Sequence, residues 1–397
     1  MKKKYIFTIL IVLILAVGVF VSLSLKPLNK SGKNNTIDDD IILSGDLKLG
    51  IANPPKPQGE IIDVLNDLNV YGIRMNSPKW ADSEKERGEY NFIWLEQRID
   101  ELNENNIKFV SSVGHNVPRW ACEEGTIEVG VSIEEHLVNC KVKNTDDFRN
   151  FAKAYFSKLG KKIHIVQFTN EWTWTWTRPV DELIELNNIL YDEAKKSNPD
   201  LPVSLGSVPI GVVRLMYIYE EGLDRDFDYI DGYIENGKMY NCDGTGVKTT
   251  EEKLRKYVEE KIDPVLKNAK YDMLDLHFYD DSDNWDEYES AWRKHLKKLG
   301  KDENIPIIVT EFGGPHYECE DAKDEELQVK RLGEYIEALE KMNVEEAYFF
   351  KLAEGSKIHF ESGLYKKKQG TSGQDIYDYV KKPNYDVFKE YANQINL

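Results

Sequence analysis

Basic residues are in deficit. The chain of 397 residues carries 52 Lys and Arg against 70 Asp and Glu, a net charge of −18. Four of the basic residues, Lys2, Lys3, Lys4 and Lys26, fall at the N-terminus, so the remainder is more acidic still. Such a body excludes nucleic acid as a partner, because affinity there comes from neutralising phosphates. It also disfavours polyanionic substrates. Cysteine is scarce: Cys122, Cys140, Cys242 and Cys319 contain no CxxC pair, which excludes a zinc knuckle. The seven histidines form no HxH or HExxH, so a zinc hydrolase has no signature here. No GxGxxG follows a strand-like run to mark a nucleotide site, and neither a solenoid period nor a low-complexity tract is present. Neither a metal nor a cofactor is expected.

What is present begins with an uncharged run from Tyr5 to Leu25, long enough to span a bilayer as a helix. Lys2, Lys3 and Lys4 precede it, which keeps the N-terminus cytoplasmic and exports the rest of the chain. A cleaved signal peptide is the rival reading; the length of the run and the lack of a clean small-x-small site favour an uncleaved anchor. The expected organisation is a membrane anchor or signal segment over 1–26, a flexible polar linker over 27–44, and a catalytic domain over 45–397. That domain lies outside the cytoplasm, where disulfides form. The four cysteines allow three pairings, and Cys122–Cys140 closes the shortest loop.

Beyond the linker, apolar strand-like runs alternate with amphipathic helical ones. Strands are predicted at 46–53, 70–76, 107–114, 163–171, 201–209, 271–279, 306–314 and 345–355. Helices are predicted at 59–70, 90–106, 146–162, 181–199, 253–269, 285–300, 326–343 and 384–395. Alternation of this kind requires parallel strands with right-handed crossovers. Eight repeats close into an α/β fold, the (β/α)₈ TIM barrel. The rival is an open doubly wound sheet. The interval 211–250 exceeds what one connection needs and reads as a crossover helix plus an insertion over one side of the barrel mouth.

In such a barrel, reactive groups gather at the C-terminal ends of the strands. Those ends carry Arg74 and Asn76, His115 and Asn116, Asn170 and Glu171, His277 and Tyr279, and Glu311. Glu171 and Glu311 stand where apolar strands stop, three strands apart, so their side chains face each other across the mouth. Either alone could cap a helix or pair with an arginine. Together they are the two carboxyls of a glycosidase, one giving a proton to the leaving oxygen and one attacking or supporting the anomeric carbon. His277 and Tyr279 are two apart and share a strand face. The stretch QFTNEWTWTW (167–176) then crowds Glu171 with Trp172, Trp174 and Trp176, which either desolvate it and stack on sugar or pack the loop against the barrel. Trp80 and Trp120 are further candidates for the sugar site.

These motifs resemble clan A of the glycoside hydrolases, the retaining β-glycosidases on (β/α)₈ barrels. TNE (169–171) and VTEFGG (309–314) resemble the clan's strand-four and strand-seven signatures in position and order. WADSEKERGEYNFIWLEQRIDEL (80–102), VGHNVPRWA (113–121), LHFY (276–279) and KKPNYDVFK (381–389) extend the likeness over about residues 45–395. The resemblance implies Glu171 as general acid/base and Glu311 as nucleophile. It implies that Asn170 binds the sugar 2-hydroxyl, Tyr279 orients Glu311, Arg74 keeps it ionised, and His115 and His277 line the subsite. Asn116, Trp80, Trp120, Trp172 and Trp174 complete the expected carbohydrate contacts. Retention implies carboxyls roughly 5–5.5 Å apart. One departure is plain: clan members often end strand eight with a Trp platform, whereas this strand reads AYFFKLAEG. The likeness leaves the substrate open among cellulases, mannanases, xylosidases and galactosidases. A silent glycan-binding barrel and a transglycosidase remain the alternatives.

Overall fold

In the computed structural model, the residues described are 47–54, 61–114, 116–126, 137–138, 140–222, 251–279, 282–314, 324–342, 344–354, 362–371 and 376–396. The expected anchor and linker (1–44), His115, the 223–250 part of the expected insertion, Cys242 and Cys319 lie outside them. Among the described residues no helix is long and apolar enough to cross a membrane.

Eight parallel strands form the sheet: β1 (Lys48–Ala52), β2 (Gly72–Met75), β3 (Lys108–Val113), β4 (Ile165–Phe168), β5 (Val203–Ser204), β6, β7 (Ile307–Gly313) and β8 (Glu346–Phe349). Strand β6 comes in two short pieces, Leu274–Asp275 and Phe278–Tyr279. The order is β5-β4-β3-β2-β1-β8-β7-β6. Bridges Ser204↔Met273 and Val208↔Leu276 join its two ends, so the ring closes through β5 and β6. The expected TIM barrel is therefore observed, and no open sheet edge remains between those strands.

The lumen is filled rather than hollow. Ala52, Val110, Ile165, Met273, Ile308 and Tyr348 pack into one cluster inside the ring, as inward-facing side chains fill barrels of this kind. Tyr348 fits because β1 carries Gly50 opposite it: a Cβ there would meet the ring at 2.5 Å. Outside the ring, α1 (Ile61–Asp67), α2 (Ile93–Glu104), α3 (Thr145–Leu159), α4 (Val180–Ser197), α5 (Ile210–Glu221), α6 (Trp285–Lys298), α7 (Glu325–Lys341) and α8 (Pro383–Ile395) bury apolar stripes. Helix α3 shows how sequence sets an element. Asn144 accepts from the Asp146 N–H at its start, an N-cap worth about 1 kcal/mol. Phe148, Phe151, Tyr155 and Leu159, at helical spacing, are buried. A further helical stretch, Glu251–Asn268 with a π turn at Val258–Ile262, leads into β6. Cys122 and Cys140 form a disulfide, the pairing that closes the shortest loop.

Candidate active site

The strand order puts β4 and β7 on opposite sides of the ring, and each brings a glutamate to its C-terminal end, Glu171 just beyond β4 and Glu311 near the end of β7. On β7, Glu311 is inside a seven-residue strand, in the interval Val309–Phe312 where the register against β8 shifts, and its side chain is only 9% exposed. On β4 the strand stops at Phe168, and Thr169 (φ 63°) and Glu171 (φ 46°) both take the left-handed backbone. That turn lifts Glu171 onto the first position before a one-turn helix, Trp172–Thr175. Its N–H donates to Ser207 Oγ at 2.7 Å. A non-glycine residue persists in that backbone region only where its surroundings hold it, and such positions cluster at functional sites.

Glu311 is held from both of its oxygens. Oε1 accepts from Arg74 Nη1 at 2.6 Å and from Asn53 Nδ2 at 3.3 Å, and Oε2 accepts from the Tyr279 hydroxyl at 2.7 Å. Arg74 is fully buried, and its other nitrogens donate to Gln167 Oε1 (3.2 Å) and Asn170 Oδ1 (2.5 Å). Burial pushes the Glu311 carboxyl up, but the charges of His277 and Arg74 and the hydrogen bonds from Tyr279 and Arg74 outweigh it. The net direction is downward, toward the ionised form.

His277 stands between the two acids. Its Nδ1 lies 3.0 Å from Glu171 Oε1 and 3.7 Å from Glu311 Oε2. Its Nε2 lies 3.0 Å from Thr310 Oγ1, and the Thr310 hydroxyl donates to the buried Asp275. With its one proton given to Asp275, Thr310 can only accept from His277, so Nε2 carries a hydrogen. The contact between Nδ1 and Glu171 therefore holds a single proton, on the ring or on the carboxyl. Burial lowers the His277 pKa, but the negative charges of Glu311, Glu171 and Asp275 and the hydrogen bond to Glu171 together raise it above the ordinary histidine value.

The ligand atoms of Glu171, His277 and Glu311 lie within 4.8 Å of one another. That spacing matches the roughly 5–5.5 Å separation of a double-displacement glycosidase and not the roughly 6.5–9.5 Å of an inverting one. The same trio is the one set among the described residues with the makings of a metal site. Its chemistry suits proton transfer better. Both Glu311 oxygens are already engaged, and the Arg74 guanidinium supplies the positive charge that a divalent ion would bring.

Of the residues singled out in the sequence, Arg74, Asn170, Glu171, His277, Tyr279 and Glu311 converge in one hydrogen-bonded cluster. Asn116 and Trp120 are partly exposed near β3, and the Trp120 Nε1–H donates to the Glu84 carbonyl at 3.0 Å. Trp174 is 39% exposed beside Glu171. Trp80 requires a correction: it is 1% exposed, packed against Phe148, Phe151 and Trp120, with Nε1 donating to Glu84 Oε2 at 2.6 Å. It is core, and a sugar cannot reach it. Trp172, 1% exposed, is also enclosed by protein. In place of a tryptophan, Phe350 follows β8 and meets Tyr279 edge-on at 6.3 Å, with a cis peptide to Lys351. Burial holds the Lys351 ammonium below the ordinary lysine range, against the pull of Glu311.

Asn53, Gln167, Ser207, Asp275 and Thr310 were not foreseen. Gln167 had a signal: a polar residue inside IVQF on an inward position of a barrel strand needs a buried partner. Asn53 had a weaker one, an asparagine ending an apolar strand, where its φ of 42° is tolerated better than in most residues.

A closed parallel barrel with two carboxyls facing each other at this spacing defines a retaining glycoside hydrolase. The family profile described as Cellulase (glycosyl hydrolase family 5) matches residues 95–350, and the chain belongs to that family. No curated protein matches the chain. Among solved structures it is similar to a family 39 glycoside hydrolase from Bacteroides cellulosilyticus WH2, with TM-score 0.58 and 14% identity over 88% of this chain and 64% of that one. It is also similar to a β-glucosidase from Exiguobacterium marinum, with TM-score 0.54 and 13% identity over 89% and 99%. An exo-β-1,4-mannosidase from Opitutaceae bacterium strain TAV5 gives TM-score 0.51 and 12% identity over 88% and 59%. The chain thus spans under two thirds of the first and third of these, and at such identities the likeness is one of fold.

Proposed function

We propose that the chain cleaves β-glycosidic bonds of oligo- or polysaccharides by double displacement, with Glu311 as nucleophile and Glu171 as general acid/base. The observation that carries this reading is the asymmetry between the two carboxyls. Glu311 is locked by Arg74, Asn53 and Tyr279 in a setting that favours its ionised form. Glu171 is 23% exposed and shares a proton with His277. In the first step a Glu311 oxygen bonds to the anomeric carbon while the bond to the leaving oxygen breaks and takes a proton from Glu171. In the second, Glu171 removes a proton from water, the water oxygen bonds to the anomeric carbon, and Glu311 leaves as carboxylate. Asn170, oriented by Arg74, is suited to bind the sugar 2-hydroxyl, and Trp174 to stack on a sugar face.

On the same reading the domain lies outside the cytoplasm, tethered by residues 1–26. The uncharged run behind Lys2, Lys3 and Lys4 supports this, as does a disulfide at Cys122–Cys140, which suits an oxidising compartment. Protease digestion of intact cells tests it: the domain is cleaved if external and protected if not. The catalytic assignment is tested by Glu171→Gln and Glu311→Gln, each losing about 10²–10⁴-fold in kcat on aryl glycosides. Azide restores turnover to Glu171→Gln, where it replaces the water that the missing base would activate. Full-rate hydrolysis by Glu311→Gln refutes the assignment.

A further inference from the structure

Of the side chains on the one-turn helix that follows Glu171, Thr175 donates its hydroxyl to the Asn170 and Glu171 carbonyls at 2.7 and 3.2 Å, while Trp172 Nε1 and Thr173 Oγ1 are buried without a hydrogen-bond partner among the described residues. Its backbone is held as well. The Glu171 N–H is fixed by Ser207, and the Glu171 carbonyl accepts from the Trp174 and Thr175 N–H groups at 2.9 Å each. The Thr173 carbonyl, two residues beyond the acid, accepts from Lys261 Nζ at 2.6 Å and from the Tyr257 hydroxyl at 3.3 Å.

Both donors rise from the helical stretch before β6, four residues apart across the π turn at Val258–Ile262. Burial pushes the Lys261 ammonium below the ordinary lysine range and the Tyr257 hydroxyl above the ordinary tyrosine range. Lys261 is half-buried. Among the described residues none forms an ion pair with Lys261; its charge is directed at a main-chain carbonyl beside the acid.

We infer that Lys261 and Tyr257 are positioning residues for the reaction, gripping the Thr173 carbonyl so that the left-handed turn presents Glu171 to the leaving oxygen. The inference rests on the proton-donor role proposed for Glu171. It connects the crossover helix after β5 to the acid on β4: a shift of that helix moves the acid and leaves Glu311, which is anchored on β1, β2 and β6, in place.

Leaving-group dependence tests this. A dinitrophenyl leaving group departs without a proton, and a phenyl one requires it. The full chain is assayed on 2,4-dinitrophenyl and phenyl β-glycosides of whichever sugar it hydrolyses fastest. In Lys261→Met, kcat/KM on the phenyl glycoside falls roughly 10–100-fold, the range expected for a misplaced catalytic group, while kcat/KM on the dinitrophenyl glycoside, which reports glycosyl-enzyme formation without a proton, changes little. Tyr257→Phe, which deletes one hydroxyl and keeps the packing, shifts the ratio the same way by less. Lys261→Arg, which keeps a donor, restores it. Equal losses on both glycosides, or an unchanged ratio in Lys261→Met and Tyr257→Phe, overturn the inference while Glu171→Gln retains the dependence. If Glu171→Gln itself lacks the dependence, the proton-donor reading falls and takes this inference with it.

Discussion

Replacing Arg74 with methionine tests how Glu311, the proposed nucleophile, is kept ionised. The side chain is fully buried, and removing it strips a cation from Glu311 and a donor each from Gln167 and Asn170. Breaking a buried ion pair by deleting one partner costs about 3–5 kcal/mol, because the remaining charge is left uncompensated. The folded chain can avoid that cost by protonating Glu311, so the carboxyl rises from its depressed position. Linkage gives the sign. A carboxyl whose folded pKa is depressed contributes stability that is present above its unfolded value and lost as pH falls through its folded value. Arg74→Met removes part of that contribution at neutral pH. In kcat/KM, the acid limb reports protonation of the free enzyme's nucleophile, so it moves to higher pH in the variant, and the plateau falls because Asn170 loses its orientation. The assay is a pH profile of aryl glycoside hydrolysis beside a thermal melt. An acid limb that stays where it was, in a variant that folds, refutes the claim that Arg74 sets the charge of Glu311.

Tyr279→Phe deletes the hydrogen bond to Glu311 Oε2; the acid limb shifts the same way by less, and an unchanged profile contradicts the orienting role. Reducing Cys122–Cys140, or replacing both by serine, removes a cross-link over 18 residues and lowers stability by about 3 kcal/mol, read as a lower melting temperature; an unmoved melt denies it a stabilising role. Trp174→Ala raises KM for oligosaccharides more than for aryl monosaccharides if the exposed indole stacks on a sugar beyond the cleaved bond. Equal KM changes place it outside the substrate path.

The barrel was legible because strand and helix patterns alternate over long stretches, and the period of each is set by backbone geometry. The predicted β5 at 201–209 shrank to Val203–Ser204, since Leu205 to Val208 bond to the β6 chain through isolated contacts rather than a continuous ladder. The proposed catalytic cluster was legible where chemistry and position coincide: Glu171, Glu311, Arg74, Asn170, His277 and Tyr279 all lie at or near the C-terminal ends of strands. Tryptophans were not, because an indole serves equally well in core and cleft. Trp80 and Trp174 have the same side chain, and tertiary contacts alone separate a core residue hydrogen-bonded to Glu84 from one at the mouth. Asp275 and Thr310 escaped notice for a related reason. Their task is to set the hydrogen on His277 Nε2 from behind, and nothing in LDLHFY or IIVTEF marks an aspartate and a threonine as partners across two strands.

The most direct measurement is to trap the covalent sugar. Incubation with an activated 2-deoxy-2-fluoro β-glycoside slows release of the intermediate, and digestion followed by mass spectrometry locates the adduct. Double displacement through Glu311 predicts one added sugar, on the peptide containing that residue and lost in Glu311→Gln. A labelled peptide that carries Glu171 instead, or turnover of the fluoroglycoside with inverted product and no adduct, contradicts it.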